Sequence, residues 1–366
     1  MHKFTINGIE YHPGKVLVIA ELGTSHGADP VKARELVSAA AEAGADCVKF
    51  QMVYADEILH PRTGFVTLPG GQIPLYDVFK QLETPLQFYA DLKAYVESLG
   101  LLFLCTPFGP KSARKLRSLN PAVFKIASPE LNYASLLEQV ASFGLPTFLS
   151  SGVSKLGDIE EAITLFGTCP VCILHCVTAY PAPEREYNLR LLPHLSSLFG
   201  VPTGVSDHSL DPELVPVLAT ALGAAAIEKH FCLSREDPGL DDPIALPPSA
   251  FAEMTAAIRD ASARAPQTVL DDLSRERGAE LVAAILGDGV KRLAPAEQAN
   301  YGRTNRSLHA LRDIQCGEVL EAGMVGALRT EKILRPGLPP SWEQAVLGRT
   351  ARARIPAGEG IRFEDI

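Results

Sequence analysis

The sequence predicts an α/β chain, a (β/α)8 TIM barrel followed by a small β-rich C-terminal module. Three observations carry that prediction. A short β-rich run, a few polar residues and an amphipathic helical stretch recur in this order eight times, roughly every 25 residues, which is the signature of parallel βαβ units. Eight such units within about 230 residues suit a closed barrel better than an open sheet. After the first strand stands "ELGTSHG", not the GxGxxG phosphate turn that an open doubly wound sheet more often carries.

In chain order the expected strands are "VLVIA" (16–20), "CVKFQ" (47–51), "LLFLCT" (101–106) and "VFKIAS" (123–128). They continue as "PTFLSS" (146–151), "VCILHCV" (171–177), "TGVSD" (203–207) and "AAIEKHF" (225–231). The helices between them carry start and stop signals. In "DPVKARELVSAAAEAG" (29–44) Asp29 caps, Pro30 takes the first position and Gly44 follows the end. "TPLQFYADLKAYVESLG" (84–100) repeats the pattern, with Thr84 as the expected cap, then Pro85, and Gly100 at the stop. A long insertion after the second strand, residues 52–83 with "LPGGQIPLYDVF", is expected to be functional, since long rim loops usually are.

The barrel domain is placed at 1–265, a helical linker at 266–303 and the small module at 304–366. The module contains an internal echo, "IQCGE" (314–318) and "IPAGE" (355–359), which predicts two similar turns. At roughly 60 residues it is marginal alone and needs a barrel or a partner to lean on.

Composition narrows the function classes. The 366 residues are 46% hydrophobic and 21% charged, ordinary for a globular protein. A net charge of -9 with no basic stripe argues against nucleic acid as a partner. No apolar leader is visible, and the most apolar helical run, "LATALGAAAI" (218–227), falls short of the roughly 18 residues of a membrane span. Seven cysteines without a zinc-type spacing read as reduced thiols, which points to the cytoplasm.

Barrel enzymes carry their chemistry at the C-terminal ends of the strands. Here those tips are Glu21; Lys49 and Gln51; Thr106; Lys125, Ser128 and Glu130; Ser150 and Ser151; Thr178 and Tyr180; Ser206, Asp207 and His208; and His230. The seventh and eighth strands are neighbours about 4.8 Å apart. His208 and His230 at their tips could therefore share one metal ion; the blander reading is two ordinary polar loop residues. Closure would bring Glu21 near His230. His175, inside a strand, reads as a core or lining residue. Lys49 and Lys125 in apolar strands need anions. With the serines at 128, 150 and 206 they form a cradle for a small, doubly charged ligand, or else they pair with Glu21 or Glu130.

The ordered set "IAELGTSHG", "VKFQ", "CTPF", "KIASPE", "LSSGVSKLGDIEEA", "LHCVTAYPAP", "GVSDHSL", "IEKHF" and "DPGLDD" resembles the sialic acid (nonulosonic acid) synthase family, NeuB-like, over roughly residues 15–245. The tail, with "NRSLHALRDIQCGEVL" and "GRTARARIPAGEGIRFEDI", is similar to that family's SAF, or antifreeze-like, domain. The resemblance implies condensation of phosphoenolpyruvate with an open-chain amino sugar such as N-acetylmannosamine, giving a nine-carbon 2-keto acid and phosphate. It implies a divalent metal, manganese first with magnesium or cobalt as alternatives, held by His208 and His230. Lys49, Thr106, Lys125, Ser128, Ser150 and Ser206 match phosphoenolpyruvate contacts. Gln51, Tyr180 and Asp241 match positions near the sugar, and Glu21 and Glu130 match catalytic carboxylates. It also implies a domain-swapped homodimer whose tail brings an arginine, Arg306 or Arg303, to the partner's sugar.

Three stretches depart from the family pattern: Thr178 where an asparagine is common, Gly71 and Gln72 in the insertion, and Pro129 within "SPE". The acceptor is therefore expected to be N-acetylmannosamine or a variant: another 2-acetamido hexose, a diacetamido-trideoxy sugar or a 6-phosphate. Rival readings are an octulosonate- or heptulosonate-phosphate type synthase, which normally lacks the tail, and a metal hydrolase, which favours an HxH absent here. A third is a non-catalytic sugar-binding protein.

Overall fold

A computed structural model describes residues 2–68 and 71–366. Pro69 and Gly70, part of the insertion singled out above, lie outside the described residues. Eight parallel strands run Leu17–Gly23, Cys47–Met52, Leu102–Pro107, Phe124–Ile126, Thr147–Ser150, Val171–Cys176, Thr203–Asp207 and Ala226–His230. Each falls within one to three residues of its expected segment. The sheet runs from the third strand through the second, first, eighth, seventh, sixth and fifth to the fourth. The third and fourth lie against each other and complete the circuit. This is a TIM-type barrel with a small β-rich domain after it.

Period-two alternation stratifies the interior. Among inward residues the lower layers are apolar: Leu17, Ile19, Cys47, Leu104, Phe148, Cys172, Leu174 and Ala226 form one buried cluster. A hairpin of Phe4–Ile6 and Ile9–Tyr11 closes the bottom, with the Phe4 and Phe148 rings 4.6 Å apart. Two residues further along the same strands, the same face turns polar: Glu21, Lys49, Thr106, Ser150, Cys176 and Glu228. The outward face packs on the helices through Val18, Val48, Phe50, Phe103, Ile173, Val205 and Ile227, all of them buried.

Helix Pro30–Glu42 begins as its sequence demands, Asp29 accepting from the Val31 N–H and Pro30 at the first turn. Helix Leu86–Ser98 differs from expectation: Pro85 occupies the cap position without a side-chain cap bond, and the Thr84 hydroxyl has no partner. The insertion after the second strand folds into helix Ala55–Ile58, a hairpin of Phe65–Leu68 with Gly71–Pro74, and helix Leu75–Gln81. Leu75 and Phe79 pack with Val53, Ile58, Leu59 and Phe108 in a satellite core beside the barrel mouth.

The linker forms helices Pro266–Arg277 and Ala279–Leu286. In the tail the two echoed turns face each other. Ile314 and Ile355 exchange backbone hydrogen bonds of 2.9 Å, and both are fully buried in the tail's own core. The tail covers the mouth of its own barrel. Linker and tail residues are bonded to this barrel's rim: Glu297 to the Val153 and Thr178 N–H groups, Asn305 to the Val153 carbonyl. No helix of the described residues is long and apolar enough to cross a membrane.

Candidate active site

The histidine-tipped strands hold two different constellations back to back. The seventh and eighth strands pair Ser206 with Glu228 and Asp207 with Lys229. Alternation sends Ser206, His208, Glu228 and His230 inward and Asp207 and Lys229 outward. On the outer side, Lys229 donates to Asp207 at 2.6 Å and to the Ser209 carbonyl. Asp207 also accepts from the Tyr187 hydroxyl at 2.6 Å, and that hydroxyl accepts from the His208 N–H. This fully bonded buried network fixes the strand tip that carries His208. His175 faces the same outer layer as a core residue: its Nε2 bonds the Tyr187 carbonyl, and its Nδ1 is buried without a partner.

The inner side is a cavity of about 210 Å³. Lys49 lies 2.7 Å from Glu228 and 3.2 Å from Glu21; Lys125 lies 3.8 Å from Glu228 and donates to Ser150 at 2.7 Å. Ser206 donates to Glu228 at 2.8 Å, and Gln51 to Glu21 at 2.7 Å. Burial of these four charges sets their protonation. Burial pushes the Glu21 carboxyl up to about 7, against the pull of Lys49. Burial would also raise Glu228, but Lys125 and Lys49 outweigh it and hold that carboxylate down at about 2. Burial, with Lys49 close by, lowers Lys125 to about 8. Two carboxylates pushed in opposite directions supply one group able to take or give a proton near neutrality and one permanent anion.

Across the cavity the rings of His208 and His230 stand 5.4 Å apart, with Tyr180 stacked on His208 at 4.3 Å. His208 Nδ1 bonds the Val177 carbonyl at 2.9 Å, which leaves Nε2 as the free nitrogen. Burial, then His208, pushes His230 well below the usual imidazole range, so its ring is neutral. Asp241 lies 3.8 Å from His230 Nδ1. Among the described residues no three His, Cys, Asp or Glu side chains converge as a closed metal cage. Burial would lower His208 too, but Cys176 beside it outweighs burial and draws it up to about 9, so it is the ring that must shed a proton to bind a cation. Two facing imidazoles fit the other type of site, an open one that leaves positions for water and substrate.

Twelve of the expected residues line this one cavity: Glu21, Lys49, Gln51, Thr106, Lys125, Ser128, Ser150, Tyr180, Ser206, His208, His230 and Asp241. Thr106 Oγ1 is buried without a partner, a hydroxyl aimed into the cavity and left over by the fold. Two expected residues stand elsewhere. Arg306 is wholly buried, its guanidinium spread over Glu130 and the carbonyls of Phe108, Ala327 and Glu57. It is a clamp between tail and barrel, not a cavity residue. Glu130 is not in the cavity wall either: its Oε1 accepts from both Arg306 and Arg329. Arg303 grips the carbonyls of Glu331, Lys332 and Leu334. The arginine that reaches the cavity is Arg329, last residue of strand Val325–Arg329.

Sequence reasoning thus missed Arg329 and Glu228. Alternation within "AIEKH" held the signal for Glu228, since it shares a face with His230. Nothing local distinguishes Arg329 from its neighbours, because its place depends on how the tail docks.

Comparison with known proteins accords with this geometry. The profile of the NeuB family matches residues 36–268, and that of the SAF domain matches residues 305–366. This chain belongs to the NeuB family. Spore coat polysaccharide biosynthesis protein SpsE of Bacillus subtilis is 34% identical over 356 residues, covering 96% of this chain and 93% of the relative. The N,N'-diacetyllegionaminic acid synthase of Campylobacter jejuni is 31% identical, covering 95% of this chain and 99% of the relative. The crystal structure of Bacillus subtilis SpsE superposes on this NeuB-family chain with a TM-score of 0.82 at 32% identity, covering 100% of this chain and 99% of that one. A truncated 3-deoxy-D-arabino-heptulosonate 7-phosphate synthase of Thermotoga maritima, at 14% identity and a TM-score of 0.52, covers 75% of this chain and 93% of its own and shares the fold alone.

Proposed function

We propose that this NeuB-family chain condenses phosphoenolpyruvate with the open-chain form of an N-acylated amino sugar, N-acetylmannosamine or a variant of it, to give a nonulosonic acid and phosphate. The observation that carries the reading is one cavity with two buried ammonium groups and three serine hydroxyls on one wall and two facing imidazoles on the other. Lys49, Lys125, Ser128, Ser150, Ser206 and Thr106 hold the phosphate and carboxylate of the three-carbon donor, where fixed cations and hydroxyls act at full strength away from water. Gln51, Tyr180, Asp241 and Arg329 face the acceptor. Holding donor and aldehyde in contact supplies much of the rate.

In the reaction the enol methylene carbon bonds to the aldehyde carbon, and the aldehyde oxygen takes a proton to become a hydroxyl. Water adds to the former enol carbon, and phosphate leaves with its bridging oxygen to give the 2-keto acid. Glu21, held near neutrality by burial, is placed to take the proton from that water. Glu130, by position, orients Arg329 and does not move a proton. A divalent cation, manganese in the first instance, would be held by His208 and His230, and it supplies Lewis acidity to the acceptor's carbonyl oxygen. A homodimer and a cytoplasmic setting belong to the same proposal.

The test is phosphate release from phosphoenolpyruvate with manganese and a panel of amino sugars. Turnover should appear with at least one, and His208→Ala and His230→Ala should each abolish it. Near-normal rates in either variant would remove the metal assignment.

A further inference from the structure

Asp207 and Lys229 form a charge pair where the fold is otherwise apolar. On the outward face near the tips of the first three strands stand Ala20, Leu22, Phe50 and Cys105, all in the main core. Asp207 and Lys229 lie level in strand register, and the neighbour of Lys229 on the first strand is Ala20. Both charged residues are buried. A buried ion pair adds little stability over well-packed apolar side chains of the same size, because desolvation offsets the attraction. What it adds is direction, since a fully bonded polar network accepts one geometry.

The bonds of this pair converge on the stretch that carries His208. Lys229 Nζ donates to Asp207 Oδ2 and to the Ser209 carbonyl, each at 2.6 Å, and to the Asp211 carbonyl at 3.3 Å. Asp207 Oδ1 accepts from the Tyr187 hydroxyl at 2.6 Å and from the Ser209 N–H at 2.8 Å. The Tyr187 hydroxyl in turn accepts from the His208 N–H at 2.8 Å. Asp207, His208 and Ser209 are thus held from behind as three consecutive residues. Lys229 precedes His230 in the chain, so one ammonium ties the tip of the seventh strand to that of the eighth. Tyr187, Asp207 and Lys229 are not in the cavity wall, so they act on its contents only through the histidines.

We infer that Tyr187, Asp207 and Lys229 are positioning residues of the cation site, a frame that sets the spacing at which His208 faces His230. With the frame intact the two rings stand 5.4 Å apart. The inference rests on the reading of these histidines as cation ligands. Partners that orient a ligating side chain account for about ten- to a hundredfold in metal affinity.

Manganese affinity of the full chain, measured calorimetrically without substrate, is the readout. Tyr187→Phe removes only the hydroxyl and should weaken manganese binding by about ten- to a hundredfold. A second variant, Asp207→Leu with Lys229→Met, exchanges the charges for apolar side chains of similar size. It should unfold close to the parental temperature and yet lose manganese affinity to the same extent. Parental affinity in either variant overturns the inference. So does a loss that scales with a fall in unfolding temperature, which is what a merely structural role gives. His208→Ala tests the underlying reading separately: if it binds manganese as the parent does, the histidines are not ligands. Crystals of Tyr187→Phe then judge the frame by itself. A ring separation shifted by more than about 0.5 Å supports it, and an unchanged 5.4 Å overturns it.

Discussion

Glu21 is the residue at which burial and chemistry conflict most directly. Its carboxyl is held at about 7 while an unfolded glutamate titrates near about 4.3. Between those values the folded chain binds the proton that the unfolded chain has lost, so stability falls as pH rises across that window. Glu21→Gln removes this cost. The variant should be inactive, yet gain stability relative to the parent by on the order of 1–3 kcal/mol at pH 8 compared with pH 4. Thermal unfolding at the two pH values measures it, and an equal difference at both would mean that the carboxyl is not held up by burial.

The two tail arginines should also separate. Arg329→Ala should raise the acceptor KM at least tenfold with little change in thermal stability, since Arg329 reaches the cavity. Arg306→Ala leaves the wholly buried Glu130 with Arg329 alone and frees the carbonyls of Phe108, Ala327 and Glu57, and it should cost about 3–5 kcal/mol in denaturant unfolding. The reverse pattern would return Arg306 to the sugar.

At the scale of elements, the turn after the fifth strand depends on the linker. Val153 is β-branched yet adopts φ +40°, a backbone conformation that is costly for such a residue. Glu297 holds its N–H and Asn305 its carbonyl. Gly152 before it is squeezed so closely that an added Cβ would lie 2.0 Å from Thr178 Oγ1 and 3.0 Å from Ser128 Oγ. Glu297 is buried and also accepts from the Thr178 and Ala294 N–H groups. Glu297→Ala would leave these buried donors unpaired and should cost on the order of 2–4 kcal/mol. It should also raise the phosphoenolpyruvate KM, because Ser128 and Ser150 flank the released turn. Urea unfolding and steady-state kinetics check both effects, and a cost below about 1 kcal/mol would show that the turn is held elsewhere.

For the whole molecule the open matter is whose tail completes which barrel. In this chain Arg329 enters the cavity of its own barrel. Chains carrying Lys49→Ala and chains carrying Arg329→Ala should therefore stay inactive when unfolded together and refolded as a mixture. Exchanged tails would rebuild one intact site in each mixed dimer and restore about a quarter of parental activity. That recovery would show that the tails are swapped.

Period-two alternation and strand-tip chemistry were legible because they are local. Eight strands, their polar tips, the cradle of lysines and serines and the histidine pair all follow from residues a few positions apart, repeated along the chain. The sequence by itself therefore determined the barrel and twelve residues of its cavity. Tertiary structure alone decided the partners of those residues: that Glu228, not Glu21 alone, neutralises the lysines, that Glu130 pairs with arginines instead of lining the cavity, and that Arg329 is the arginine at the mouth. The physical reason is range. Alternation fixes which face a side chain takes, whereas an ion pair between residues some 200 positions apart exists only once docking has brought them together.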